Sequence, residues 1–192
     1  MFTFPPEQLA DYQDFAYGEA IFNDTECEKI LSLVPPGAMT AGTVGDARNV
    51  DHGIRRAEVA RIDWNEQHDW LYQRLNTCVQ QCNQSFYRYV LTGFIENLEI
   101  IRYPLGHHYD WHQDFASGPM SIRKLSLVVQ LAAPEAYEGG DLEFFTCSKA
   151  SRAPRTRGTV IVFPSYQVHR VLPVQSGIRH SLVGWVSGPH FR

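Results

Sequence analysis

The segment "HHYDWHQD" between Gly106 and Phe115 places the pattern His-x-Asp twice in four-residue register, as His108 with Asp110 and His112 with Asp114. Imidazole nitrogens and carboxylate oxygens are donors that divalent metals accept, and each pair offers one of each. In a strand, residues i and i+2 point to one side, so either pair can present both donors to one ion. The two copies cannot share an ion, because four residues of strand separate them by about 13 Å. His108 follows the Pro104-Leu105-Gly106 turn by two residues, near a strand start, whereas His112 and Asp114 lie further in, before the break at Ser117-Gly118-Pro119. Position favours the second copy without deciding the matter.

A third ligand must come from elsewhere, and the candidates are His169, His180 and His190. Two imidazoles and one carboxylate occupy one face of an octahedron and leave positions open, the arrangement associated with non-haem Fe(II). His169 closes "RGTVIVFPSYQVH", an apolar strand followed by a turn at Pro164-Ser165. Arg179 comes ten residues later, and Ser181 shares its face if that strand is regular. An arginine fork grips a carboxylate bidentately, and a serine adds a hydroxyl. A metal with an arginine so placed suits a small dicarboxylate that chelates the ion at one end and is neutralised at the other.

Elements must hold these residues. A chain of 192 residues is the length of one domain and can bury a substantial core, so residues 1–192 read as a single unit. Before about residue 92 the signals are helical. After a strand-like "GEAIF", Asn23 and Asp24 can cap a helix through about Val34, which Pro35-Pro36 stops. The longest helix signal runs from about Glu66 to Tyr89, where Leu71, Leu75, Val79, Cys82 and Phe86 form one apolar stripe. Trp64 and Trp70 bracket its start and read as core. The loop from about Gly37 to Arg56 lacks periodicity and is too long for a mere connection, so it reads as a lid or a disordered crossing. From about residue 93 short β-branched and aromatic runs alternate with Gly and Pro breaks, as in "KLSLVVQLA", "DLEFF", "TVIVFP" and "RHSLVGWV". The expected class is mainly β with α, a double-stranded β-helix (jelly roll) core over 93–192 buttressed by N-terminal helices.

Net charge is −4, so no basic field draws the chain to nucleic acid or an anionic membrane. No apolar run approaches the roughly 20 residues of a membrane helix, and the first residues lack the pattern of a signal peptide. Cys27, Cys78, Cys82 and Cys147 form no short-spaced framework and read as reduced thiols of a cytoplasmic protein. Cys78 and Cys82 are i and i+4 on one helix, but a structural zinc needs two further partners that the sequence does not offer.

"YPLGHHYDWHQD", "RKLSLVVQLAAPEAYEGGDLEFF" and "RGTVIVFPSYQVHRVLPVQSGIRHSLVGWV" resemble the Fe(II)- and 2-oxoglutarate-dependent oxygenases, in the prolyl 4-hydroxylase-like branch with its PKHD-type hydroxylases. The likeness is close from about Leu98 to Ser187. In that family a Tyr-x-x-Gly stretch sets a tyrosine nine residues before the ligand histidine, and Tyr103 and Gly106 fit His112 in this register. The resemblance therefore selects the second copy and implies that His112, Asp114 and His169 bind iron. It further implies that Arg179 binds the distal carboxylate of 2-oxoglutarate with Ser181 and Tyr103 as helpers, and that Gly139-Gly140 is a tight turn. Where several relatives carry a second co-substrate tyrosine, this chain has Gln130, which can still donate a hydrogen bond. Implied cofactors are Fe(II), 2-oxoglutarate as co-substrate and O2, with ascorbate as an optional addition. The implied reaction is hydroxylation of an unactivated C–H of a prolyl or other residue in a peptide or protein. A free amino acid or small metabolite is the alternative substrate.

Other residues carry two readings. His107, His108 and Asp110 read as a polar strand start or, with Trp111, as a pocket rim. His180 adjoins Arg179 and should face away from it. Trp185 is pocket wall or core, and Arg55-Arg56 is solvated surface or a contact for an acidic or peptide substrate. "GTVIVFPSYQVH" also resembles the second motif of a cupin, a metal-binding module without oxygenase activity, although such a module has no use for Arg179. Nucleic-acid demethylation shares the iron chemistry but wants a basic groove, of which the charge gives no sign.

Overall fold

The computed structural model describes residues 11–44, 49–146 and 149–190. The first half contains strand β1 (Ala16–Gly18), helix α1 (Asp24–Leu31), strands β2 (Thr40–Ala41), β3 (Arg55–Arg56) and β4 (Glu58–Ile62), and helix α2 (Asp69–Cys82). The second half begins with β5 (Leu98–Tyr103), β6 (His108–His112), β7 (Arg123–Gln130), β8 (Tyr137–Gly139) and β9 (Leu142–Thr146). It continues with β10 (Lys149–Arg152), β11 (Val160–Pro164), β12 (His169–Val171), β13 (Val174–Gly177) and β14 (Arg179–Ser187). Seven strands form one sheet in the order β1-β11-β7-β14-β5-β4-β2, and five form another in the order β10-β9-β12-β6-β3. Strands β13 and β8 make a separate ribbon. This is the expected jelly roll.

Side-chain alternation divides the large sheet into two faces. Leu98 and Ile100 of β5, Leu125, Leu127 and Val129 of β7, and Leu182 and Val186 of β14 pack with the helices in one core. Helix α2 contributes the predicted stripe of Leu71, Leu75, Val79 and Cys82, and α1 adds Cys27 and Ile30. The opposite parity of the same strands, with Ile101, Tyr103 and Val128, meets Leu142, Phe144 and Val171 of the smaller sheet in a second core. Because β7 is covered on both faces, every one of its residues is buried, the polar Arg123, Lys124, Ser126 and Gln130 included.

Helix α1 starts where Asn23 and Glu26 cap one another: the Glu26 N–H donates to Asn23 Oδ1 at 2.9 Å, and the Asn23 N–H donates to Glu26 Oε2 at 3.0 Å. It ends at Leu31, short of the predicted Val34. The N–H groups of Leu33 and Val34 bond the carbonyls of Ile30 and Leu31, tightening the chain into a three-residue turn before the prolines act. Helix α2 runs on through a wider turn over Asn83–Tyr87 and stops at left-handed Arg88 (φ 55°).

Four expectations need correction. The strand expected in "GEAIF" lies earlier, at Ala16–Gly18, and Ala20 turns the chain with φ 52°. The N-terminal layer is not only helical, since β1, β2, β3 and β4 extend both sheets. The loop over 37–56 is accordingly neither a free lid nor a crossing in its described parts: β2 pairs with β4, Val44 bridges Asn49, and β3 pairs with β6. Trp64 is not core but 60% exposed, while Trp70 packs edge-on to Phe22 beneath Lys29. Cys27, Cys78 and Cys82 are free thiols, and Cys147 lies outside the described residues. No helix among the described residues is long and apolar enough to cross a membrane.

Candidate active site

His112 ends β6 and His169 begins β12, and the two are register partners in the smaller sheet. Between this pair and the next, Val171 with Tyr109, the register slips, which marks a bulge in β6. Asp114 lies beyond the strand end. Its N–H and that of Phe115 both donate to the Ser165 carbonyl at 2.9 Å, and its own carbonyl accepts from Arg123 Nη1 at 3.1 Å. The loop is thereby fixed, and the carboxylate turns toward the histidines.

Asp114 Oδ1 is 3.8 Å from His112 Nε2, and Oδ2 is 3.8 Å from His169 Nε2. Among the described residues these three form the one group of such donors able to hold a metal, with ligand atoms within 4.8 Å of one another. The ring proton is placed for the task. His112 Nδ1 lies 2.7 Å from the Asp110 carbonyl and His169 Nδ1 lies 2.9 Å from the Gln167 carbonyl. A carbonyl only accepts, so each Nδ1 carries a hydrogen, and in the neutral ring Nε2 then keeps its lone pair for an ion. Burial above all, with His169 next, pushes the His112 pKa down to about 3, so its imidazole is neutral and the contact with Asp114 is a spacing of ligands rather than an ion pair. Burial alone would raise the Asp114 pKa, but the two histidines, the Ser126 hydroxyl and Arg123 hold it below its ordinary value. The aspartate is ionised. Neutral nitrogens with a carboxylate are the donor set of a ferrous ion, and the residues fit one.

Rings fix the histidines. Tyr109 stacks on His112 with centroids 3.4 Å apart, while Phe163 packs edge-on to His169 at 4.7 Å. His108 and Asp110 stand apart from this group. His108 faces a second cavity with His107 and Arg56, and exposed Asp110 caps the Trp111 N–H. Trp111 packs against Phe145 under Arg170 and does not line the main cavity. His190 is exposed, and half-buried His180 pairs with Arg102 in register, facing away from Arg179.

The metal-ligand group opens into a cavity of about 470 Å³ whose walls include Tyr103, Arg179 and Ser181. Arg179 is 1% exposed and its charge has no carboxylate partner among the described residues. It donates from Nη2 to Gln130 Oε1 at 3.0 Å and from Nη1 to Ser181 Oγ at 3.4 Å, and Nε is buried without a partner. Gly140 makes room for its stem: a Cβ there would stand 3.2 Å from Arg179 Cδ, at a φ of 61° that favours glycine. Tyr103 lies 5.4 Å from the guanidinium carbon, and burial raises its pKa despite the pull of Arg55 and Arg179. Gln130 sits behind Arg179 rather than on the cavity wall, its amide nitrogen donating to the Pro154 carbonyl at 2.9 Å.

Four wall residues escaped the sequence reading in whole or part. Arg123 bonds Glu96 through Nε at 2.7 Å and Nη2 at 2.5 Å, and stacks 4.0 Å over Trp185, which makes Trp185 a wall residue. Tyr109 is the ring beside His112, and Arg55 is buried rather than solvated. Only the strand alternation of β14, placing Trp185 with Arg179, offered a signal for any of them.

The sequence model of the 2OG-Fe(II) oxygenase superfamily matches residues 98–187. A PKHD-type hydroxylase of Prochlorococcus marinus (strain NATL2A) is 37% identical over 98 residues, covering 51% of this chain and 44% of the relative. The chain spans less than half the length of the curated relatives it matches. In structure it is similar to a Trichoplax adhaerens prolyl hydroxylase in complex with a hypoxia inducible factor oxygen degradation domain peptide, with TM-score 0.76, 20% identity and coverage of 91% and 83%. It is also similar to the 2OG complex of a viral collagen prolyl hydroxylase from Paramecium Bursaria Chlorella virus-1, with TM-score 0.70, 20% identity and coverage of 95% and 100%. Over residues 98–187 the chain is similar in sequence to the 2OG-Fe(II) oxygenases and to PKHD-type hydroxylases, and in fold it is similar to solved prolyl hydroxylases.

Proposed function

We propose that the protein is an Fe(II)- and 2-oxoglutarate-dependent dioxygenase that hydroxylates a prolyl or other residue in a peptide or protein. The observation that carries this reading is Arg179: a buried guanidinium without a carboxylate partner among the described residues, in the same cavity as the His112, Asp114 and His169 group. A buried charge left uncompensated is costly, so the arrangement calls for an anion from outside the chain. A cupin-like metal protein would leave that charge idle.

In this reading His112, Asp114 and His169 hold the ferrous ion. Bound there with 2-oxoglutarate and O2, the ion would supply the oxidation, with succinate and CO2 as co-products and one oxygen atom in the hydroxyl of the product. Arg179 takes the distal carboxylate of 2-oxoglutarate, Ser181 Oγ stands beside it, and the Tyr103 phenol can donate to the same group. Gln130 acts through Arg179 by fixing the plane of the guanidinium. The aromatic surround of Tyr109 and Phe163 keeps water from the ligand nitrogens. The peptide substrate is supported by the structural neighbours, one of which was solved with a peptide and another of which is described as a collagen hydroxylase.

The test is anaerobic addition of Fe(II) and 2-oxoglutarate. A weak visible charge-transfer band is expected for the chelate, lost in Arg179→Ala, with succinate formed once O2 is admitted. A metal-loaded sample giving neither band nor succinate refutes the oxygenase reading.

A further inference from the structure

Four arginines line the cavity, Arg55, Arg61, Arg123 and Arg179, and the hydroxylase reading employs only Arg179. Arg55, on β3, is 9% exposed. It is built into the wall. Its Nη1 donates to the Thr43 carbonyl at 2.9 Å, its carbon lies 4.8 Å over the Tyr109 ring, and Gly42 leaves space that a Cβ, 2.9 Å from Nε, would fill. The carboxylate that approaches it is Glu99, with Nη2 to Oε2 3.9 Å, beyond hydrogen-bond distance. Glu99 also faces Arg61 Nε at 3.6 Å, without a hydrogen bond to either arginine among the described residues.

The contrast with Arg123 is informative. That residue shares the cavity, but its charge is closed by two hydrogen bonds to Glu96. Pairing the remaining wall charges leaves a surplus. Asp114 is matched by an ion, Arg179 by the co-substrate and Glu96 by Arg123, so Arg55 and Arg61 stand against Glu99 alone. Desolvating Arg55 without a hydrogen-bonded counter-charge costs stability, and an oxygen anion entering the cavity would offset it.

We propose that Arg55 reads the substrate, and that the substrate carries a carboxylate beside the carbon to be hydroxylated. This rests on the hydroxylase reading. Arg55 lies against Tyr109, and Tyr109 stacks on His112, so a carboxylate on Arg55 is one ring away from the metal ligands. The apolar lining of the same cavity, with Ile101, Met120, Val183 and Trp185, is suited to the carbon-bearing part. Two sources share this chemistry: the α-carboxylate of a free or C-terminal residue, and an acidic side chain next to the target within a peptide.

The wild-type protein is first mixed with Fe(II) and 2-oxoglutarate without O2, and the charge-transfer band recorded. No band overturns the hydroxylase reading and this proposal together. With the band present, succinate formation above the substrate-free rate is measured against N-acetyl amino acids and their carboxamides. It is also measured against acetyl-Gly-X-Asp-Gly-amide peptides and their Asn counterparts, with X spanning the common side chains. One acidic set is expected to exceed its neutral counterpart by about tenfold or more, and which set does so names the source. Equal rates for acids and neutral partners, or no response to any acid, overturns the proposal while the hydroxylase reading stands. For the responding acid, Arg55→Gln is expected to raise KM by about ten- to a hundredfold with a smaller change in kcat. An equal rise in the KM for 2-oxoglutarate would assign Arg55 to the co-substrate and likewise overturn it.

Discussion

Gln130 Oε1 accepts a hydrogen bond from Arg179 Nη2 at 3.0 Å while Gln130 Nε2 donates to the Pro154 carbonyl at 2.9 Å, so the amide joins the guanidinium to the backbone of a neighbouring loop. The amide is used at both ends and serves Arg179 rather than a ligand. Gln130→Leu is expected to raise the KM for 2-oxoglutarate about tenfold with a smaller effect on kcat, the cost of one hydrogen bond to a charged group. Gln130→Glu supplies the carboxylate that Arg179 lacks and is expected to weaken 2-oxoglutarate binding further. Steady-state kinetics at varied 2-oxoglutarate checks both.

Gly140→Ala adds a methyl 3.2 Å from Arg179 Cδ, 3.0 Å from Val174 Cγ2 and in a left-handed conformation. The expected loss of stability is about 1–3 kcal/mol, measured by urea unfolding. A shifted Arg179 stem should also raise the KM for 2-oxoglutarate, so the two measurements should move together.

Because the ligand group exists only in the folded chain, a metal should stabilise the fold. Under anaerobic conditions Fe(II), or Mn(II) as a redox-silent substitute, is expected to raise the melting temperature of the wild type. In His169→Ala or Asp114→Ala the shift should largely vanish. Chelator treatment should reverse it in the wild type, and calorimetry with and without metal makes the comparison.

Glu143 is buried in β9 between Arg170, with Nε to Oε2 2.9 Å, and Arg152, with Nε to Oε1 3.1 Å. Burial alone would raise its pKa, but the two arginines hold it below the ordinary carboxylate value. The sign follows from linkage: the stabilisation is complete above the unfolded pKa and is lost as pH falls through the lower folded value. Glu143→Gln is expected to cost about 1–3 kcal/mol at pH 7 and to flatten the acid limb of stability below about pH 4.5. Urea unfolding at a series of pH values would show this, and an unaltered acid limb would contradict it.

The parts legible in the sequence were those with a period. The stripe of Leu71, Leu75 and Val79 marked α2, and the apolar run of "TVIVFP" marked β11. Strands β3 and β4 were missed because "RRAEVARI" mixes charged residues into a short edge segment, where alternation is masked by Arg56, Glu58 and Arg61. Trp64 was misplaced for a related reason: an indole near a helix start looks the same whether it turns in or out. Within the site, spacing and family resemblance reached His112, Asp114, His169 and Arg179, since these lie on or beside regular strands. Arg55 was beyond reach, because an Arg-Arg pair looks like surface until the strand it occupies is known to pair with Tyr109 and His108.

The register pairing of His112 with His169 also bears on the order of events during folding. The two histidines are remote in the chain and meet only when β12 has docked beside β6, and Arg179 reaches the cavity later still in sequence. Contacts of such long range are slow to form. A growing polypeptide on the ribosome has the first imidazole and the acid well before the second imidazole. The full three-ligand group is therefore complete only once β12 has docked beside β6.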